Sequence, residues 1–265
     1  MLGDVNEAED LVQEAMLRWQ SADRSEVREP EAWLVAVTTR LAIDRLRQAK
    51  TNRALYVGPW LPEPVAEDRL SPAYRAELAS DLSMAFLVLL ERLAPEERAA
   101  FLLRDVFGCG YDEIAHALGK TQAAARQTVH RARERVRADR PRFAAAPDAK
   151  ERLLGRFITA LQAGDKDALL ALFAEDAAWT SDGGGKVFAA RRVLHGRERI
   201  TRMLAKLAAK YGEYFTYRLA RLNGEPAVLE YVGGHLFAAT FCEIDEGRVS
   251  AMYRVLNPEK LTHVG

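Results

Sequence analysis

The sequence predicts a multidomain protein that is all-α in its first half and α+β in its second, and three observations carry that prediction. Apolar residues recur at helical spacing up to about residue 142. Gly58-Pro59-Trp60-Leu61-Pro62-Glu63-Pro64 sets three prolines within six residues, which no helix accommodates, and so divides that helical half. Past Pro147, two more helical segments give way to alternation rich in aromatic and β-branched residues.

The chain has 265 residues, 49% of them apolar, enough for two or three domains with proper cores. Its 38 Lys and Arg balance 38 Asp and Glu, so the location of the charge, not its total, bears on nucleic-acid binding. Cys109 and Cys242 stand far apart, which makes neither a disulfide framework nor a zinc spacing. No apolar run reaches the length of a membrane span and no secretion signal is present, so a cytoplasmic protein without membrane contact is expected.

Residues 4–20 read as a helix capped by Asp4, with Glu7 at the capping-box position and an apolar stripe of Ala8, Leu11, Val12, Ala15 and Trp19. Its other face holds Asp4, Glu7, Glu9, Asp10 and Glu14 against Arg18, a net charge of −4. Pro30 opens a second helix through Trp33, Leu34, Val37 and Leu41, whose far end is basic: Arg40, Arg45, Arg47, Lys50 and Arg53 against Asp44. Helical periodicity resumes at Leu78, Leu82, Ala85, Phe86, Leu89 and Leu93, and Pro95 opens a further helix reaching Val106. A short helix over 111–118 ends at Gly119, and Thr121 caps a long one. In the last part, helices are expected at 149–163, 165–174 and 196–211, and strands at 187–194, 214–222, 227–232, 235–244 and 248–256. Asn223-Gly224 and Asp245-Glu246-Gly247 supply hairpin turns, which predicts a mostly antiparallel sheet.

The sharpest chemical signal is the helix-turn-helix over 111–137. Ala125, Val129, Ala132 and Val136 recur at steps of 4, 3 and 4 and pack one stripe inward. The neighbouring face carries Arg126, His130, Arg133 and Arg137, flanked by Gln127, Arg131 and Arg135. From Lys120 to Arg142 there are eight basic residues and two acidic, a net charge of +6. Arginines on the outer face of such a helix reach phosphates and guanine edges in the major groove, and Gln or Thr reads bases near its start. A charge run is more often a plain solvated face, but the preceding short helix and the glycine turn favour DNA.

These segments resemble the extracytoplasmic-function branch of the sigma-70 family. Asp4-Val5-Asn6-Glu7-Ala8-Glu9-Asp10-Leu11-Val12-Gln13-Glu14-Ala15 resembles the polymerase-binding segment of sigma region 2. Trp33-Leu34 through Ala42-Ile43-Asp44-Arg45-Leu46-Arg47 resembles the −10 segment. Leu93-Ala94-Pro95-Glu96-Glu97-Arg98, Tyr111-Asp112-Glu113-Ile114-Ala115 and Val129-His130-Arg131-Ala132-Arg133 resemble region 4. The resemblance implies an alternative sigma factor with core RNA polymerase and promoter DNA as partners. Asp10, Gln13, Glu14 and Arg18 would dock on polymerase. Trp33, Arg40, Arg45 and Arg47 would hold the −10 element, although Trp33 reads equally well as a core aromatic. Thr121, Arg126, Gln127, His130, Arg131 and Arg133 would read the −35 duplex. Family members usually carry one more helix before the opening segment, so region 2 is expected to be N-terminally truncated.

The C-terminal part resembles the SnoaL-like branch of the cone-shaped NTF2-like fold, which a subgroup of these sigma factors carries. Three strings bear that resemblance: the Trp60-Leu61-Pro62-Glu63-Pro64 linker, Asp182-Gly183-Gly184-Gly185-Lys186, and Asn257-Pro258-Glu259-Lys260-Leu261. The divisions that follow are region 2 at 1–57, linker at 58–73, region 4 at 74–142 and the SnoaL-like domain at 143–265. Trp60, Pro62, Asp182, Gly184, Lys186, Asn257, Pro258 and Lys260 are then expected to form regulatory contacts acting in cis. An enzyme of the NTF2 type would need an acid or base such as Asp182, His195 or His235, and a pocket could take a small-molecule ligand. No catalytic constellation, cofactor motif or metal-ligand set is readable, and a fold alone confers no activity. The alternative reading is a helix-turn-helix regulator fused to a sensing or enzymatic domain. The acidic opening helix and the second basic region speak against it.

Overall fold

Asp4 accepts a hydrogen bond from the Glu7 amide at 2.9 Å and so starts α1 (Val5–Ser21) in the computed structural model. The structure describes residues 1–25, 27–53, 55–66, 83–139 and 147–264; Leu78, Leu82, Arg140, Arg142 and the linker stretch 67–73 lie outside them. Two units are formed, Met1–Leu55 with Val88–Arg140, and Tyr56–Leu87 with Pro141–Gly265. The Trp60-Leu61-Pro62-Glu63-Pro64 segment thus belongs to the second unit, with residues 61–64 all buried.

In the first unit, α1 packs Leu11 and Ala15 on Leu41, Ala42 and Leu46 of α2 (Pro30–Arg53). Val12, expected in the apolar stripe, is instead 53% exposed. The chain returns to this unit within α3 (Met84–Glu91), and α4 (Pro95–Phe101) continues into a π turn, Leu102–Val106. Next comes α5 (Tyr111–Leu118), ended by Gly119 at φ +62°, where a Cβ would be strained. The Thr121 hydroxyl accepts from the Ala124 amide at 3.2 Å and starts α6 (Gln122–Asp139). Ile114, Ala125 and Val129 share one core with Ala36 of α2 and with Ala100 and Leu103.

The second unit holds α7 (Pro147–Ala163), α8 (Lys166–Leu172) and α9 (Arg197–Tyr211) with one six-stranded sheet. The strands are β1 (Phe173–Asp182), β2 (Leu194–His195), β3 (Phe215–Leu222), β4 (Glu225–Val232), β5 (His235–Asp245) and β6 (Arg248–Val255). Their order is β2-β1-β6-β5-β4-β3, antiparallel except where β1 pairs parallel with β6. Both hairpin turns fall where expected, with Asn223 and Glu246 at positive φ just before glycine. Phe157 of α7 packs on Phe173 and Trp179 of β1, and the core continues through Ile200, Val228, Cys242 and Met252.

The sheet differs from the sequence reading at one edge. The sequence does not predict β1, and the strand expected over 187–194 is reduced to the two residues of β2. Phe173-Ala174-Glu175-Asp176-Ala177-Ala178 has low strand propensity and continues the preceding helical pattern, whereas the packing of Phe173, Ala177 and Trp179 in the core decides its state. No helix is long and apolar enough to cross a membrane among the described residues.

Candidate functional site

On α6, Ala125, Val129, Ala132 and Val136 are buried, which turns Arg126, Gln127 and His130 to solvent. The Arg126 guanidinium lies 4.5 Å from the centre of the Tyr111 ring, a cation–π contact that holds the head group against that ring. Arg131 and Arg133 point toward acids of the same unit. Arg131 Nε donates to Glu97 at 3.4 Å, and Arg133 makes a forked pair with Asp105 at 2.8–3.1 Å. Thr121 is occupied in capping α6 yet remains exposed. Helix α6 therefore leaves Gln127 and His130 at the surface, while Arg126 rests on Tyr111 and Arg131 and Arg133 are paired with acids.

The residues expected at the −10 element are all engaged inside the first unit. Arg40 donates to the carbonyls of Ala117 (3.1 Å) and His116 (2.7 Å), which end α5, so it serves the negative end of that helix dipole. Arg45 pairs with Glu7 at 2.6 Å and with Glu14 at 3.7 Å. Arg47 pairs with Asp44 at 3.1 Å and with Glu96 at 2.8 Å. Trp33 packs against Trp19, with ring centres 5.3 Å apart. Among the expected polymerase contacts, Asp10 and Gln13 are exposed, and Glu14 pairs with Arg18 at 2.7 Å. The same helix exposes Val12, Met16 and Leu17, an apolar strip beside the acidic one that helical periodicity alone does not single out.

In the second unit the three strings singled out in the sequence meet around Asp182, which has no solvent exposure. Its Oδ1 accepts from the Tyr56 hydroxyl (2.5 Å) and the Gly184 amide (3.1 Å). Its Oδ2 accepts from the Leu61 amide (2.8 Å) and from Lys260 Nζ (2.7 Å). Lys260 Nζ also donates to the Leu61 carbonyl at 2.6 Å and stands 3.8 Å from the centre of the Trp60 ring. Asn257 Nδ2 donates to the Tyr56 hydroxyl at 3.0 Å, while its Oδ1 accepts from the Glu259 amide and starts a 3-10 turn at Pro258. Lys186 and Glu259 form an ion pair outside this cluster. Pro62 is buried. Gly184, at φ +58°, would place a Cβ 2.5 Å from Asn257 Nδ2, so only glycine fits. Burial, and then the hydrogen bond to Asp182, push the Tyr56 phenol well above its ordinary range.

Further anchors continue along the segment, and no sequence signal marks them. Asn223 exchanges hydrogen bonds with Val65, N to O at 2.9 Å and Oδ1 from N at 2.8 Å, and Ala66 bridges Leu222. Farther on, the Met84 amide donates to Glu225 Oε1 at 2.6 Å. Glu225 Oε2 and Glu243 each accept from Lys150 Nζ at 2.7 Å. Burial alone would lower the Lys150 pKa, but the two carboxylates outweigh it and raise it. The β-turn signature at Asn223 is legible in the sequence, but not its side chain's second use as a partner for Val65.

Asp182 has all its visible capacity taken by these donors, and His195 and His235 are exposed on β2 and at the start of β5. Among the described residues no group of three or more His, Cys, Asp or Glu could hold a metal ion. Both cysteines are free, and burial pushes the Cys242 thiol up to about 12.

A helix-turn-helix with a cationic outer face in one unit, followed by an α+β unit that includes the proline-rich segment, is the modular build of a transcription factor. Comparison with known proteins gives its family. Residues 1–51 match Sigma-70 region 2, residues 83–136 match Sigma-70 region 4, and residues 154–259 match the SnoaL-like domain. The chain is 39% identical to the ECF RNA polymerase sigma factor SigJ of Mycobacterium tuberculosis, over 99% of this chain and 88% of that one. It is 31% identical to the probable ECF RNA polymerase sigma factor SigI of the same organism, over 98% and 88%. The crystal structure of SigJ superposes with a TM-score of 0.78 at 35% identity, covering 98% of this chain and 91% of that one. The chain belongs to the extracytoplasmic-function RNA polymerase sigma factors that carry a C-terminal SnoaL-like domain. That membership favours a sigma factor over a helix-turn-helix regulator with a sensing or enzymatic domain.

Proposed function

We propose that this sigma factor directs core RNA polymerase to a set of promoters, and that its C-terminal unit regulates it in cis by gripping the segment between regions 2 and 4. The observation that carries the reading is the buried pair of Asp182 and Lys260, which holds the backbone of Leu61 from both sides. A sigma factor must place region 2 on the −10 element and region 4 on the −35 element, so whatever fixes the connecting segment governs their reach. A grip worth roughly 3 kcal/mol shifts such an equilibrium about a hundredfold. Trp60, Pro62, Asp182, Gly184, Lys186, Asn257, Pro258 and Lys260 are the regulatory contacts in this reading, to which Tyr56 is added.

The acidic and apolar face of α1, with Asp10, Gln13, Glu14 and Arg18, docks on polymerase. Trp33, Arg40, Arg45 and Arg47 serve the −10 element once released from their present partners. Thr121, Arg126, Gln127, His130, Arg131 and Arg133 serve the −35 duplex. The unit acts through the gripped segment and as a regulator, not a catalyst; no small-molecule ligand is required for this mechanism.

The test is run-off transcription from one promoter with core polymerase and matched amounts of three proteins: full length, one lacking 257–265, and one lacking 143–265. Loss of the tail removes Lys260 and Asn257 and raises transcription. Loss of the whole domain also removes the other anchors and gives less transcription than the tail deletion. Equal activity of all three overturns regulation in cis.

A further inference from the structure

Helix α9 buries Ile200, Thr201 and Leu204 and turns the opposite side to solvent. That side carries Arg199, Arg202, Lys206 and Lys210, all exposed, at steps of three, four and four. At 1.5 Å per residue the four cations occupy one face along about 16 Å of helix axis. Among the described residues none of the four forms an ion pair with a carboxylate, and Lys210 lies 4.9 Å from the centre of the Tyr211 ring. The arginines of α6 differ, since Arg131, Arg133 and Arg135 are paired with Glu97 or Asp105. Between residues 186 and 210 there are eight basic residues and one acidic. Like charges three and four residues apart repel along a helix, so the row calls for counter-charge from outside the unit. Beside it runs an open cleft of about 420 Å³, lined by Leu194, Arg199, Arg202, Met203, Lys206 and Leu207.

We infer that this face of α9 is a sequence-independent docking surface for the phosphate backbone of duplex DNA. An extended row of cations matches a regularly spaced polyanion better than a compact anion, and duplex DNA carries one charge per roughly 1.7 Å of its axis. The interaction carries no sequence information: it adds affinity near a promoter that regions 2 and 4 select. The inference rests on DNA being the partner of the chain, not on the proposed regulation in cis.

The experiment measures binding of the full-length protein to a random-sequence duplex by fluorescence anisotropy across a salt series. With Arg199→Gln, Arg202→Gln and Lys206→Gln combined, the plot of log K against log salt becomes shallower by about 2 to 3, because each neutralised phosphate contributes about 0.9. Arg199→Lys with Arg202→Lys keeps the wild-type slope, which separates an effect of charge from an effect on folding. An unchanged slope in the triple Gln variant overturns the inference. A variant that keeps duplex binding but no longer binds poly-glutamate overturns it in favour of an acidic protein partner. Arg126→Ala, measured on a promoter duplex, tests the recognition helix separately, so the two readings fail independently.

Discussion

Asp182 and Lys260 illustrate how much one buried pair commits. Removing the carboxylate in Asp182→Ala takes the anionic partner from an ammonium with 7% side-chain exposure, which keeps neutral partners such as the Leu61 carbonyl, and takes the acceptor of the Leu61 amide. Breaking a buried pair from one side costs about 3–5 kcal/mol, so the C-terminal unit should lose that much stability in denaturant unfolding followed by tryptophan fluorescence. Two phenols make a pH prediction. Burial raises the Tyr56 phenol, with Asp182 adding to it, and burial beside Glu230 pushes the Tyr217 phenol up to about 12. A folded pKa above the unfolded value of about 10 means that the stabilisation is complete below that pH and is lost as pH rises past it. Absorbance titration of phenolate should show a late component, smaller in Tyr56→Phe. At this scale Asp182, Lys186, Asn257 and Lys260 are readable in the sequence as chemically loaded positions, whereas Tyr56 and the side chain of Asn223 are not. A lone tyrosine two residues before a glycine and an Asn-Gly turn have ordinary local explanations, and only the fold gives them a second partner.

At the scale of elements, α6 combines a deep seam with a divided outer face. Gln127 is available to a groove as it stands, while Arg126 must leave the Tyr111 ring and Arg131 must exchange Glu97 for a phosphate or base. Arg126→Ala together with Arg131→Ala should weaken −35 binding by roughly 1–3 kcal/mol for each base no longer read, measured by transcription from a promoter and its −35 variant. On α1, Asp10→Lys with Glu14→Lys replaces an acidic strip with a basic one and should reduce capture of core polymerase in a pull-down, because the two surfaces then repel. The helices of the first unit and the hairpins of the sheet follow their local signals closely. β1 does not, because its alanines and acids favour helix locally, and it is the parallel pairing with β6 and the burial of Trp179 that make it a strand. The strand expected at 187–194 fails for the converse reason: its alternation has no neighbour with which to pair beyond Leu194 and His195.

Across the whole molecule, two units with separate cores predict two unfolding transitions. Ile114→Ala empties a fully buried position of the helical core and should lower one transition by about 2–5 kcal/mol, leaving the other in place. Asp182→Ala should do the reverse, and scanning calorimetry of both variants would show it; a single shared transition would contradict two independent cores. The sequence by itself determined the helical first half, the helix-turn-helix and the turns of the sheet, because helix periodicity, capping and turn chemistry act over a few residues, and its residue strings carried the family resemblance. Only the tertiary structure decided that the proline-rich segment is buried in the second unit, that Arg40, Arg45 and Arg47 are engaged within the first, and that Asp182 and Lys260 meet across 78 positions of chain. Those outcomes depend on which distant groups remain unsatisfied once the cores have formed, and that is settled by packing rather than by any local pattern.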